Sequence, residues 1–167
     1  MKKILLFLSV ALTLSLASCS TASKMARAER KATYAQQVQE GLMAGKYTIE
    51  VDWMRPLRGP ARHVNGNYSL TIDGEVAHSY LPYFGEVYRA GTYGQSKGLR
   101  IEEATMRDYV ATRTAKDCTR VEFTIVNEED TYRYVLTIFD NGKAIIDVFG
   151  RDRDAISFDG EVVIRDL

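Results

Sequence analysis

The stretch RVEFTIVNEEDTYRYVLTIFDNGKAIIDVF, residues 120–149, decides the fold. Arg120 to Val126 pairs with Thr131 to Phe139 across Asn127-Glu128-Glu129-Asp130, and Asn141-Gly142 turns the chain back into Lys143 to Phe149. Short apolar and β-branched runs separated by turn residues are antiparallel strands joined by hairpins.

The same pattern extends in both directions. Tyr47, Ile49, Val51 and Trp53 alternate with Thr48, Glu50 and Asp52, which predicts a half-buried strand with Trp53 on its apolar side. Met54 to Asn67 contains Pro56, Gly59, Pro60 and Gly66 and is predicted as a loop. Tyr68, Leu70 and Ile72 lead into Asp73-Gly74, a hairpin signal, and Glu75 to Leu81 is the returning strand. Pro82 to Lys97 is irregular, with strands resuming at Gly98 to Glu103 and Asp108 to Thr114. Past a polar turn at Arg151 to Asp154, Ala155 to Phe158 is expected to meet Glu161 to Arg165 across Asp159-Gly160. About nine short strands in a meander describe a mainly β domain. Such a sheet hides its edges by curling into a barrel or half-barrel, with a sandwich as the alternative.

The N-terminus points to an address. Lys2 and Lys3 precede an apolar run from Ile4 to Leu16, and Leu16-Ala17-Ser18-Cys19 closes it. This is the architecture of an export signal ending in a lipobox, with Cys19 acylated as the first mature residue. The expected layout is a signal peptide over 1–18, a lipidated tether over 19–24, a helix over 25–45 and a β-barrel domain over 46–167. The expected location is the cell envelope, anchored at the outer membrane and facing the periplasm. In the helix, Met25, Ala28, Ala32, Ala35, Val38 and Leu42 fall at spacings of three and four, placing a small-residue stripe on one face.

Charge and composition exclude several classes. The chain carries 22 basic and 22 acidic residues, and loss of Lys2 and Lys3 leaves a slight acidic excess. No basic surplus exists to attract nucleic acid. With Cys19 acylated, Cys118 is the remaining thiol; it opens an apolar strand and is expected as a small core residue. The two histidines, His63 and His78, have no metal-ligand spacing, so neither metal nor cofactor is expected. His78 and Ser79 are neighbours on a strand, so their side chains diverge and do not form a nucleophile–base pair. Glu128 to Asp130 lies on a hairpin tip, where solvated charge is expected, and Asp140-Asn141-Gly142 lacks the further ligands of a calcium loop. No catalytic constellation emerges, and the expectation is a non-enzymatic protein.

Ser79-Tyr80-Leu81-Pro82-Tyr83-Phe84-Gly85, with Tyr88 and Tyr93-Gly94, resembles the signature of a Bacteroidetes lipoprotein family known as a domain of unknown function. Ile138 to Ala144, Arg153 and Ile156-Ser157-Phe158-Asp159-Gly160 resemble its C-terminal half. The resemblance covers roughly 45–167. It implies a lipocalin-like barrel and brings no activity and no catalytic residues.

The candidate binding residues are Tyr80, Tyr83, Phe84, Tyr88 and Tyr93, an aromatic cluster in a loop containing Gly85 and Gly94, together with Arg153. Tyrosine offers an apolar body with a polar tip, which suits a ligand or partner surface. The same rings could instead fold back and plug one barrel mouth. Arg153 belongs either to a surface ion-pair network over Arg151 to Asp154 or to an inward-reaching closure of the barrel end. The leading expectation is a binding module for a small apolar or amphipathic ligand. The alternative is an interaction protein docking another envelope protein through the Tyr80 to Tyr93 loop. The deciding feature is whether the barrel interior is open or filled.

Overall fold

The computed structural model describes residues 2–88, 98–114 and 117–164, with side chains from residue 23 onward. Tyr93 lies outside the described residues. The helix α1 (Lys2–Ala44) is followed by ten strands. These are β1 (Lys46–Pro56), β2 (Arg62–His63), β3 (Ser69–Asp73), β4 (Val76–Leu81), β5 (Leu99–Thr105), β6 (Arg107–Thr114), β7 (Cys118–Val126), β8 (Thr131–Phe139), β9 (Lys143–Gly150) and β10 (Ile156–Val163). They form one antiparallel sheet in the order β5-β4-β3-β1-β10-β9-β8-β7-β6, with β2 added to β1.

The order explains the shape. At ~4.8 Å per neighbouring strand, such a sheet laid flat would be about 38 Å wide. Its two edge strands, β5 and β6, are separated in sequence by Met106 alone. One residue spans about 3.5 Å, so the sheet must curl until its edges approach. The result is the expected curled half-barrel of antiparallel strands with a helix at the N-terminus. Met106 is buried at this corner, and its N–H donates to the Glu75 carbonyl at 2.8 Å.

The turns are set by glycine. Asp73 pairs with Val76, so the β3–β4 turn is centred on Gly74 and Glu75, one residue later than expected. Gly74 takes the required positive φ of 62°. In the β8–β9 connection Gly142, at φ 84°, donates to the Phe139 carbonyl at 2.8 Å.

Three expectations about β1, β2 and β10 are corrected. Asp159-Gly160 is not a hairpin: it lies inside a continuous β10 that pairs with β1 on one side and β9 on the other. A Cβ on Gly160 would collide with the Glu50 carbonyl oxygen, so this glycine permits close backbone approach. Opposite it, β1 carries a bulge between Val51 and Trp53, with Asp52 as the extra residue. The bulge reverses the alternation. Tyr47, Ile49 and Val51 point inward before it, Met54 is buried after it, and Trp53 is turned outward at 42% exposure. The segment predicted as a loop is partly strand, because β1 continues to Pro56 and β2 pairs Arg62 and His63 with Met54 and Trp53.

The inward faces carry large side chains. Phe123, Tyr132, Tyr134, Phe158, Leu136 and Ile146 are among those essentially without solvent exposure. Phe123 and Tyr134 stack with centroids 5.0 Å apart. Each such buried apolar side chain contributes roughly 1.5–3 kcal/mol. The Tyr134 hydroxyl donates to Ser79 Oγ at 3.2 Å, and Ser79 in turn donates to the Leu99 carbonyl at 2.8 Å, so these buried hydroxyls are satisfied. Cys118 is half-buried at the start of β7, beside the Thr114 hydroxyl at 2.7 Å, and is not the core residue expected.

The helix closes one end of the half-barrel. Among its described side chains the last turns dock: Val38 and Leu42 are buried, whereas Met25, Ala28 and Ala32 on the same stripe are exposed. Tyr34 donates to the Val162 carbonyl at 2.7 Å, and Gln39 donates to Asp140 at 3.0 Å.

Gly160→Ala is expected to lower stability by about 1–3 kcal/mol, because a fixed backbone carbonyl cannot move aside for the added methyl. Urea unfolding monitored by circular dichroism measures it; an unchanged midpoint would contradict the close approach of β1 and β10.

Candidate functional site

The end opposite the helix carries the β1–β3, β7–β8 and β9–β10 connections, and residues 83–88 of the aromatic loop lie against it. Arg153 reaches inward there. Its side chain is 3% exposed, and its Nε lies 3.1 Å from Asp130 Oδ2, a carboxylate with 0% exposure. Glu129 stands 3.6 Å from Arg153 Nη2, and Nη1 donates to the Gly98 carbonyl at 3.3 Å. The guanidinium lies between two rings, 5.1 Å from the Tyr83 centroid and 4.9 Å from that of Tyr132.

Asp130 is therefore not the solvated tip residue the hairpin suggested. It accepts the N–H groups of Thr131 at 2.7 Å and Arg151 at 3.1 Å, and Asp152 N–H approaches both its oxygens at 3.3 Å. Asn127 makes this possible. Its side-chain oxygen takes the Glu129 and Asp130 N–H groups, each at 2.9 Å, and so fixes the turn that points Asp130 back into the protein. Gly150 leaves the space: a Cβ there would meet Asp130 Oδ2 at 2.9 Å and also collide with Arg153.

The next residue, Asp154, fastens the aromatic loop. Tyr83 donates to the Asp154 and Glu86 carbonyls at 3.1 and 3.0 Å. Glu86 N–H reaches the Asp154 carboxylate at 3.2 Å, and Tyr88 donates its hydroxyl to the same carboxylate. Backbone bonds from Tyr88 to Asp152 and from Asp154 to Glu86, at 2.8 and 3.0 Å, pair the loop with the chain around Arg153. The Tyr88 hydrogen bond holds the Asp154 carboxyl below the usual carboxylate range and raises the tyrosine. Burial, opposed by Arg153, pushes Tyr132 up to about 12.

The candidate residues thus divide. Tyr83, Tyr88 and Arg153 converge on this closure. Phe84 and Tyr88 remain 45% and 61% exposed on its outer rim. There the aromatic loop meets the Pro-rich loop after β1: Arg62 lies over Phe84 at 4.3 Å, and Arg58 pairs with Glu86 at 2.8 Å. Leu57 and Val87 add exposed apolar surface at the same rim. Tyr80 is separate. It sits on the outer face of β4, stacked on Tyr68 at 5.4 Å with Arg100 5.0 Å from its ring. His78 and Ser79 diverge as expected, His78 exposed and Ser79 buried. Among the described residues no cluster of His, Cys, Asp and Glu is arranged to hold a metal.

Residues 29–162 match the family described as Domain of unknown function (DUF4251). The chain belongs to this family. A crystal structure of a DUF4251 family protein from Bacteroides eggerthii is similar, with a TM-score of 0.60 at 12% identity, covering 79% of this chain and 88% of that one. That likeness is one of fold. Among curated proteins none matches the chain. The family match begins inside α1 and leaves Cys19 outside it.

Sequence reasoning found Arg153 and the tyrosines but missed Asp130 and Asp154. The available signal was local: Asn127 three residues before Asp130 is an Asx-turn pattern that can aim the turn's last side chain inward.

Arg153→Met and Asp130→Asn should each cost about 3–5 kcal/mol, since either leaves a buried partner unmatched. Chemical unfolding measures this; losses within ~1 kcal/mol for both would contradict a buried pair. The tyrosines give a pH prediction. Burial raises Tyr47, Tyr132 and Tyr134 above 10.0, so the stability they contribute is intact below that pH. It is lost as pH climbs towards about 12, where the unfolded chain has ionised and the folded one resists. Tyrosinate absorbance from these residues should appear together with loss of near-ultraviolet circular dichroism. Ionisation of all ten tyrosines in the intact fold would overturn the assignment.

Proposed function

We propose that this DUF4251 chain is a lipid-anchored envelope protein, held to the membrane through acylated Cys19. Its half-barrel serves as a filled, non-enzymatic scaffold, presenting the rim around Phe84 and Tyr88 to another envelope protein. The observation that carries this reading is the packed interior. Phe123, Tyr132, Tyr134 and Phe158 occupy the space a lipocalin-type ligand would need, and Arg153 with Tyr83 closes the mouth above them. This favours docking, the alternative on sequence, over the small-ligand reading that led there.

The rim has the chemistry of a protein contact. Leu57, Phe84, Val87 and Tyr88 are exposed beside Arg58 and Arg62, a mixture of aromatic and arginine groups common at interface centres. The hydrogen bonds to Asp154 fix the loop before any partner arrives, which lowers the ordering cost of association. The leader Lys2 to Leu16 and the cysteine after Ala17-Ser18 support the anchor. Among the described residues no helix is long and apolar enough to cross a membrane.

Two measurements test the proposal separately. Labelled fatty acid should enter the wild-type protein, and Cys19→Ala should abolish incorporation and release the chain from membranes; label retained by the variant refutes the anchor. A photo-crosslinker at Tyr88 or Phe84 in living cells should give one discrete adduct, with none from Val110 on the far edge. Equal adducts from all three positions, or none, would refute the docking rim.

A further inference from the structure

The chain contains one tryptophan, and the fold places it outside the barrel. Strict alternation along β1 would bury Trp53; the bulge at Asp52 turns both residues to the outer face. Bulges commonly re-aim side chains beside binding sites. Here the bulge opens onto a groove of about 590 Å³ across β1, β10 and β9.

Trp53 forms one wall of the groove, with Ile145 and Gly160 also lining it. The missing side chain at Gly160 is thus used twice: it admits the Glu50 backbone and leaves open space beside the ring. The volume falls within the range of small-ligand sites, ~300–1,000 Å³. His63 meets the Trp53 ring edge-on, with centroids 5.5 Å apart and planes at 86°.

The charge in the groove has a sign. Asp52, Asp159 and Glu161 line it against Lys143. Asp159 is paired with Arg55 at 2.6 Å, and Lys143 stands opposite Glu161 in the ladder. Acidic groups flanking an exposed indole attract a cation twice, by charge and through the face of the ring, and tryptophan is the best ring for that contact. Lys143 opposes an anion.

We propose that this groove is a binding site for a cationic peptide segment, with a lysine ammonium lying against Trp53 and flanked by Asp52 and Glu161. The site is distinct from the docking rim and needs neither the anchor nor that partner. Neutral sugars can also stack on an indole, so the test includes them.

Because Trp53 is the chain's one tryptophan, its fluorescence reports directly on the groove. The full chain in detergent is titrated with tri-lysine, with tri-glutamate and with an N-acetylglucosamine oligomer. Tri-lysine should give a saturable change that weakens with added salt, and the other two should give none. Asp52→Asn combined with Glu161→Gln should weaken tri-lysine binding by about tenfold or more. By calorimetry, Trp53→Phe should weaken it less than Trp53→Leu. Unfolding midpoints close to wild type establish that these exposed-site variants are folded. No saturable response to tri-lysine overturns the proposal. So does binding unaffected by the charge substitutions, or saturation by the sugar oligomer alone.

Discussion

Met106 joins the two outermost strands of the sheet, and most of the structure follows from that short connection. Two edges that lie on opposite sides of a wide sheet cannot be bridged by one residue unless the sheet rolls up. Rolling defines an inside, and the alternating side chains of β1, β3, β4 and β7 to β10 then have a common place to go. The hydrophobic effect rewards filling it, and phenylalanine and tyrosine rings do so, the Tyr134 hydroxyl donating to Ser79 and the Tyr132 hydroxyl to the Gly98 carbonyl.

A rolled sheet has two ends, and this chain closes them by different chemistry. One receives the last turns of α1 through Val38, Leu42 and Tyr34. The other receives an arginine. A buried guanidinium is costly unless its charge and donors are met, and here Asp130, Glu129, the Gly98 carbonyl and two aromatic faces meet them. With the inward aromatics buried, exposed rings remain on the outer surfaces: Phe84 and Tyr88 at the rim and Trp53 on the side wall.

Much of the fold could be read directly. The hairpins at Asp73-Gly74 and Asn141-Gly142 carried their glycines at or beside the turn, and the strand runs were recognisable by period. Asp159-Gly160 misled for a physical reason. Glycine marks a tight turn and also marks a place where two backbones nearly touch, and the sequence looks the same in both cases. The Val51–Trp53 bulge was invisible because the alternation is locally perfect; the mismatch arises only when β1 is set against β10. Of the candidate site, Tyr83, Tyr88 and Arg153 were legible as an aromatic cluster and an arginine. Their partners Asp130 and Asp154 were not, since a carboxylate near a turn ordinarily faces water.

The sequence alone determined what depends on neighbours along the chain: strand period, much of the turn chemistry, and the antiparallel class of the sheet. The tertiary structure decided what depends on residues far apart in sequence. It set which side of β1 Trp53 occupies, buried Asp130 against Arg153, and brought Phe123, Tyr132, Tyr134 and Phe158 together inside. Those outcomes turn on the register between β1 and β10 and on the meeting of loops more than twenty residues apart, and no local pattern encodes either.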